Sequence, residues 1–172
     1  INSKYMKRRR EGYIGFDDAL SDETEWKDTY IFTEFLYRLQ LSEKLNIMPK
    51  VYYDQYNSDS WIESRPEGLL SGTYPDGIKA ISRIKYYTLG FENQINYNLF
   101  EGNELTFGLQ YEWVHQGDIH YGTNFHPLTN APLPSFADFS HTLPFTRKVT
   151  RHIYAFYLQD EWSITEDIDF TA

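Results

Sequence analysis

Five histidines, His115, His120, His126, His141 and His152, are the residues of this chain best suited to hold a metal or move a proton. His115, His120 and His126 fall within twelve residues, beside Asp118, so a metal site on a loop is conceivable. Their intervals of five and six match neither one face of a helix nor the usual zinc spacings. They are expected to be solvated or to touch a ligand, and no metal is expected. A second set is polar and titratable: Glu34, Arg38, Lys50, Asp54, Glu92, Gln94, Gln110, Glu112, Arg151, Gln159 and Glu161. Paired carboxylates on neighbouring strands could act as acid and base, as in a glycosidase. A wet lumen, where unpaired charges cost little, accounts for the same residues more simply. A third set is aromatic. Trp61, Arg65, Tyr74 and Pro75 fall in one long connection, and His120, Tyr121, Phe125, His126, Phe136, Phe139, His141 and Phe145 in another. Aromatic side chains on loops held by a rigid scaffold give large contact area at low entropic cost, which suits ligand capture. They could equally pack the loops against one another.

Much chemistry is excluded. The chain has no cysteine, which removes disulfides, thiolate catalysis and Cys-based zinc sites. It has no Gly-rich phosphate loop, His-Glu-x-x-His motif, EF-hand loop or nucleophile elbow. A net charge of -9 argues against a nucleic-acid partner, because neutralising phosphates needs a basic face. Neither a catalytic group nor a cofactor is expected.

The elements that would position these residues are strands. From Glu104 to Trp113, Leu105, Phe107, Leu109, Tyr111 and Trp113 alternate with Glu104, Thr106, Gly108, Gln110 and Glu112. Successive side chains of a strand point to opposite faces, so one face is apolar and the other polar. The same parity runs from Lys85 to Leu99, with Tyr87, Leu89, Phe91, Ile95 and Tyr97 opposing Glu92, Gln94 and Asn96. It recurs in Ile31 to Leu41, with Phe32 and Leu36 as exceptions, and in Tyr154 to Ile164, with Asp160 as one. Leu45 to Asn57 is weaker, since Pro49 interrupts the ladder.

Connections alternate in length. Short turns are expected at 42–44, 101–103 and 165–167, and long loops at about 57–80 and 116–148, with the first 27 residues part of another. Short–long alternation is the pattern of transmembrane β-barrels, with short periplasmic turns and long extracellular loops. Strand length agrees: about 11 residues at roughly 3.4 Å, tilted by about 40°, cover close to 28 Å of bilayer. An aromatic share of 18% in a chain of mean hydropathy -0.60 also fits, because Tyr and Trp gather at the two membrane interfaces. Tyr30, Tyr53, Tyr87, Trp113, Tyr154 and Trp162 are candidates for those girdles.

Tyr154-Ala155-Phe156-Tyr157-Leu158-Gln159-Asp160-Glu161-Trp162, followed by a short polar turn and a new strand, resembles a recurring strand of TonB-dependent outer-membrane receptors. Asn103 to Glu112 resembles a strand opening of the same family. The resemblance covers the chain from about Lys27 onward. It implies an all-β, antiparallel transmembrane β-barrel segment of about six strands in hairpins, with residues 1–172 a partial barrel domain lacking the plug and the C-terminal strand. It implies a bacterial outer-membrane location and active import of a scarce solute such as a ferric siderophore. Partners would be outer-membrane lipid, a small iron chelate and the TonB complex through the missing plug, with a monomer when complete. Glu34, Arg38, Glu92, Gln94, Gln110, Glu112, Gln159 and Glu161 would face the lumen; Trp61, Arg65, Tyr74, His120, Tyr121, Phe125, His126 and His141 would meet the ligand. Two other readings fit the periodicity alone. One is a small outer-membrane barrel acting as enzyme or adhesin; the other is a soluble lipocalin-like binder with its apolar face inward.

Overall fold

A computed structural model describes residues 1–11, 23–68, 72–117, 119–165 and 168–172. The strands are β1 (Asn2–Glu11), β2 (Glu25–Leu36), β3 (Leu39–Ser42), β4 (Leu45–Arg65), β5 (Ile78–Tyr97), β6 (Asn103–Gln116), β7 (His120–Phe125), β8 (Pro132–Asp138), β9 (Val149–Thr165) and β10 (Ile168–Thr171). One 3-10 turn, Pro144–Thr146, precedes β9. All pairing is antiparallel, in the order β1-β2-β4-β5-β6-β9-β10, and the sheet is open. Apart from β3, which follows β2 along β4, and the β7–β8 hairpin set between β6 and β9, neighbours in the sheet are neighbours in sequence, as in an up-and-down barrel wall.

Register turns the sequence periodicity into faces. One continuous row across the sheet reads Phe35–Val51–Phe91–Tyr111–Tyr154. The next rows down read Asn93–Leu109–Phe156 and Ile95–Phe107–Leu158. The opposite face carries Glu34–Tyr52–Gly90–Glu112 and Glu92–Gln110. Below the β7–β8 hairpin nothing among the described residues packs on the apolar side: Phe156 and Leu158 are 69% and 68% exposed. Among the described residues the only large apolar side chain that is buried is Leu143. A water-soluble sheet hides its apolar face against a second layer, so this face needs an apolar surrounding from elsewhere. No helix among the described residues is long and apolar enough to cross a membrane.

Two strands far exceed the span of a bilayer. β4 has 21 residues and β5 has 20, whereas about 9–11 tilted residues suffice to cross. Measured from the tight turn at Glu43–Lys44, the upper halves of β4 and β5 therefore project beyond the membrane as a paired ribbon. This corrects the sequence boundaries: Trp61 and Arg65 stand on β4, and His120, Tyr121 and Phe125 on β7, not on irregular loops. Residues 2–11 likewise form β1, where a long loop was expected. Their Lys-Arg run hides the alternation that marks the other strands. The turn at 165–167 falls partly outside the described residues, as does Asp118.

The exceptions to alternation have local causes. Pro49 lies within β4 and does not end it. The Tyr37 amide donates to the Pro49 carbonyl at 3.0 Å, but proline has no N–H to return. That one missing bond separates β2 from β3, although both keep the same register on β4. Phe32, on the polar side, packs on Tyr52 with ring centroids 6.5 Å apart. Asp160, on the apolar side, accepts a 2.5 Å hydrogen bond from Asn103 Nδ2 next to the lower turn. Two glycines on the polar face sit under rings. A Cβ on Gly90 would come within 2.0 Å of the Tyr52 ring, and one on Gly108 within 1.8 Å of the Tyr157 ring. In each pair the tyrosine is the register partner of the glycine on the neighbouring strand.

Candidate functional site

The polar face is an interlocked hydrogen-bonding surface. Tyr52 donates its hydroxyl to Glu112, and Gln110 Nε2 donates to both Tyr52 Oη (3.1 Å) and Glu112 Oε1 (3.0 Å). Lys50 pairs with Glu92 at 2.5 Å and lies 5.6 Å from the Tyr52 ring centre. Nearer the lower turns, Tyr157 donates to Gln94 (3.2 Å), Gln94 to Asn96 (2.8 Å) and Asn96 to Glu104 (2.6 Å), while Gln159 donates to Glu161. Glu34 accepts from Asn2 at 3.4 Å. Arg38 lines a recess with Gln40, Asn46 and Asn96. Glu104 and Glu161 are register partners, so two carboxylates do stand side by side. Each is bonded to a side-chain amide, Glu104 to Asn96 and Glu161 to Gln159.

Above the membrane-spanning part the same face holds a charged cluster centred on Asp28, which is only 5% exposed. Its carboxylate accepts from Ser58 Oγ (2.8 Å), Tyr56 Oη (2.9 Å) and Arg10 (2.8 Å). Burial alone would raise its pKa, but these three donors and the Arg10 charge together hold it below the usual carboxylate range. A carboxyl whose folded pKa is depressed stabilises the fold above its unfolded pKa, near 4, and loses that contribution as pH falls through the lower folded value. Asp28→Asn is therefore expected to remove part of the acid sensitivity of the β1–β2–β4 edge, read as amide exchange at Tyr56–Ser58 between about pH 5 and pH 2. Sequence reading missed this cluster because Arg10 looked like one member of a charge run.

The upper ribbon is closed by the β7–β8 hairpin. β7 continues β6 along β5 after a one-residue offset, with Arg83 opposite His120 and Ile81 opposite Gly122. Phe136 folds over Gly122, where a Cβ would meet its ring at 2.5 Å, and stacks on Trp61 with centroids 5.9 Å apart and planes 12° apart. Trp61 and His120 thus continue the apolar side of the sheet, and Tyr121 the polar side, where its ring meets Phe145 edge-on at 5.6 Å. Ser140 donates to Asp138, and its Oγ accepts from the Tyr121 amide (3.0 Å) and lies 3.5 Å from His120 Nδ1. Ser140's hydroxyl and amide hold the Asp138 carboxyl below its ordinary range, with His120 and His141 adding smaller attractions. His126 is taken up by the hairpin itself. Its Nδ1 accepts from the Leu128 and Thr129 amides at 3.3 Å, and its ring meets Phe139 edge-on. Tyr74 donates to the Asn130 carbonyl, and Asn124 ties the Lys79 amide (2.9 Å) to the Gly77 carbonyl (2.8 Å). Lys79 bridges Glu63 (3.2 Å) and Glu23 (3.3 Å); burial opposes its charge, but the two carboxylates raise its pKa. Arg65 ends β4, and His141 is exposed.

The histidines are therefore dispersed. His115 stacks with Tyr87 and Trp113 and hydrogen-bonds Thr150 (2.8 Å), and His152 bonds Tyr111 (3.0 Å). Among the described residues no three His, Asp or Glu side chains converge as metal ligands. The open sheet with an unpartnered apolar face and a bonded polar face is the wall of a membrane barrel, and one comparison decides which kind. Residues 2–172 match the family model described as TonB dependent receptor-like, beta-barrel. The chain belongs to that family. TonB-dependent receptor barrels are bacterial outer-membrane transport receptors, not enzymes. No curated protein and no solved structure matches the chain. In transmembrane barrels lipid-facing and lumen-facing residues alternate along each strand, and here the β4–β5 ribbon with its β7–β8 hairpin forms the end of the sheet away from the Glu43–Lys44 turn. There the Trp61–Phe136 stack has a measurable worth. Phe136→Ala is expected to cost the rim about 0.5–1.5 kcal/mol beyond lost area, seen as a red shift of Trp61 emission in a background whose other tryptophans are Phe.

Proposed function

We propose that this chain forms part of the wall and extracellular rim of an outer-membrane, TonB-dependent receptor that binds and imports a scarce solute such as a ferric siderophore. The observation that carries the reading is the family match over a sheet whose apolar face, below the β7–β8 hairpin, is exposed among the described residues. On this reading Glu34, Arg38, Glu92, Gln94, Gln110, Glu112, Gln159 and Glu161 line the lumen, where a plug domain would meet them by hydrogen bonds. Ligand capture falls to the rim, with Tyr74, Tyr121, Phe125, His126 and His141 near the lumen mouth and Arg65 at the end of β4. Trp61 and His120 support the rim from its other side. The barrel wall contributes no reaction; import is driven through the plug by the TonB complex and the proton-motive force.

The test has two stages. An antibody to this sequence should detect the protein in detergent-extracted outer membranes. Deleting its gene should then slow growth on, and uptake of, at least one ferric chelate under iron limitation, and de-energising the cells should slow wild-type uptake to the same extent. An outer-membrane protein whose loss leaves the uptake of every ferric chelate unchanged would shift the solute class. A soluble protein would overturn the reading outright.

A further inference from the structure

Followed upward along β5, the apolar side of the sheet reads Ile95, Asn93, Phe91, Leu89 and Tyr87, and then changes to Lys85 and Arg83. On β6 the same level carries Trp113 and His115, which ring Tyr87 at centroid distances of 5.5 and 5.1 Å. Tyr and Trp mark the membrane–water interface. The two cations thus stand one and two side-chain steps beyond the aromatic belt, and on the side away from the lumen. A cation there meets lipid headgroups.

The surroundings form a recess. Arg83 is opposite His120 on β7, and a hollow of about 490 Å³ is lined by Asn57, Ser58, Asp59, Arg83, Lys85 and His120. Asp59 pairs with Arg83 at 3.0 Å, but both side chains stay more than half exposed. The Lys85 carbonyl accepts from the Gly117 amide at 2.9 Å, while its side chain is exposed and makes no hydrogen bond or ion pair among the described residues. Farther along the same side, Lys7 and Arg9 of β1 and Lys27 of β2 extend the basic row. Glu25 pairs with Arg9 and Lys27, and Glu11 with Arg9. Five cations thus face four carboxylates, Asp138 beside His120 among them, in a chain whose net charge is -9. The local sign opposes the overall one.

We propose that Lys85 and Arg83, with His120 beside them, bind a phosphate group of an outer-leaflet lipid headgroup. Charge-assisted hydrogen bonds from guanidinium and ammonium are the strong ones for phosphate. The neighbouring belt of Tyr87 and Trp113 sets the lipid's acyl region one step below. This site rests on the outer-membrane reading above. It lies on the lipid side of the wall and takes no part in solute capture.

The test uses the intact protein purified in a neutral detergent, titrated with mixed micelles containing phosphatidic acid and, separately, with inorganic phosphate. Wild type and Lys44→Gln, a charge removed at the lower turn, should bind the micelles equally. Arg83→Gln/Lys85→Gln should bind about thirtyfold more weakly, the effect of two interfacial charges, and Arg83→Lys/Lys85→Arg should restore binding. In the wild type, phosphatidic acid should protect Lys85 from amine acetylation, and millimolar inorganic phosphate should not. Unaltered binding by the double Gln variant, or unprotected Lys85, would overturn the site. Equal protection by inorganic phosphate would make it a free-anion site and overturn the lipid assignment. Failure of the membrane reading is separable, because the protein would then be missing from outer-membrane fractions before any titration.

Discussion

Leu158→Arg is expected to destabilise the protein by about 2–4 kcal/mol in a bilayer, while Gln159→Arg beside it changes stability by less than about 0.5 kcal/mol. The two positions differ only in face. Leu158 is the register partner of Phe107, midway along the spanning part of β9, and points to the uncovered apolar side. Gln159 points to the polar side, where an arginine would find Glu161, the partner Gln159 already has. In water the 68% exposed Leu158 would accept an arginine at almost no cost. The large penalty arises only if hydrocarbon covers that side. Denaturant unfolding from lipid vesicles measures both variants, and equal costs would remove the distinction between the faces.

Gly90→Val is expected to cost about 1–3 kcal/mol, because its side chain would occupy space filled by the Tyr52 ring. Gly108→Val should do the same against Tyr157. The informative variant is the double one. With Tyr52→Ala the obstruction is gone, so Gly90→Val should cost far less in that background, a coupling of about 1–3 kcal/mol in a double-mutant cycle. Additive effects would show that the ring does not rest on the glycine. Tyr52 also donates to Glu112 and accepts from Gln110, so the pair fixes the ring that anchors the polar network.

How much of this was legible in the sequence follows from what each stretch had to satisfy. β6 and β9 carry one apolar and one polar face along their length, so their alternation is plain from Leu105 to Trp113 and from Tyr154 to Ile164. The upper half of β4 has polar partners on both sides; Asn57, Ser58, Asp59 and Ser60 carry no period, and the stretch reads as loop. β1 failed for a similar reason, its Lys7–Arg10 run masking a strand held by pairing to β2. Pro49 weakened β4 on the page, yet in the sheet it costs one hydrogen bond to Tyr37. The residues of the polar face were legible because parity assigns a face. The rim residues were listed by type alone, and type does not separate Trp61 and His120 from Tyr121; only the register of β7 on β5 does. The solute leaves no comparable mark, since stacked rings such as Trp61 and Phe136 serve packing and capture alike.

A spin-label accessibility scan along Ile153–Ile164 of the protein in lipid vesicles tests the central claim most directly. Labels at 154, 156, 158 and 162 should be reached by oxygen and shielded from a water-soluble nickel chelate, with the reverse at 153, 157, 159 and 161. A two-residue period in that phase places the apolar side of this sheet in hydrocarbon and its polar side in the lumen. Nickel access at all eight positions, or the opposite phase, would contradict a transmembrane wall and with it the receptor.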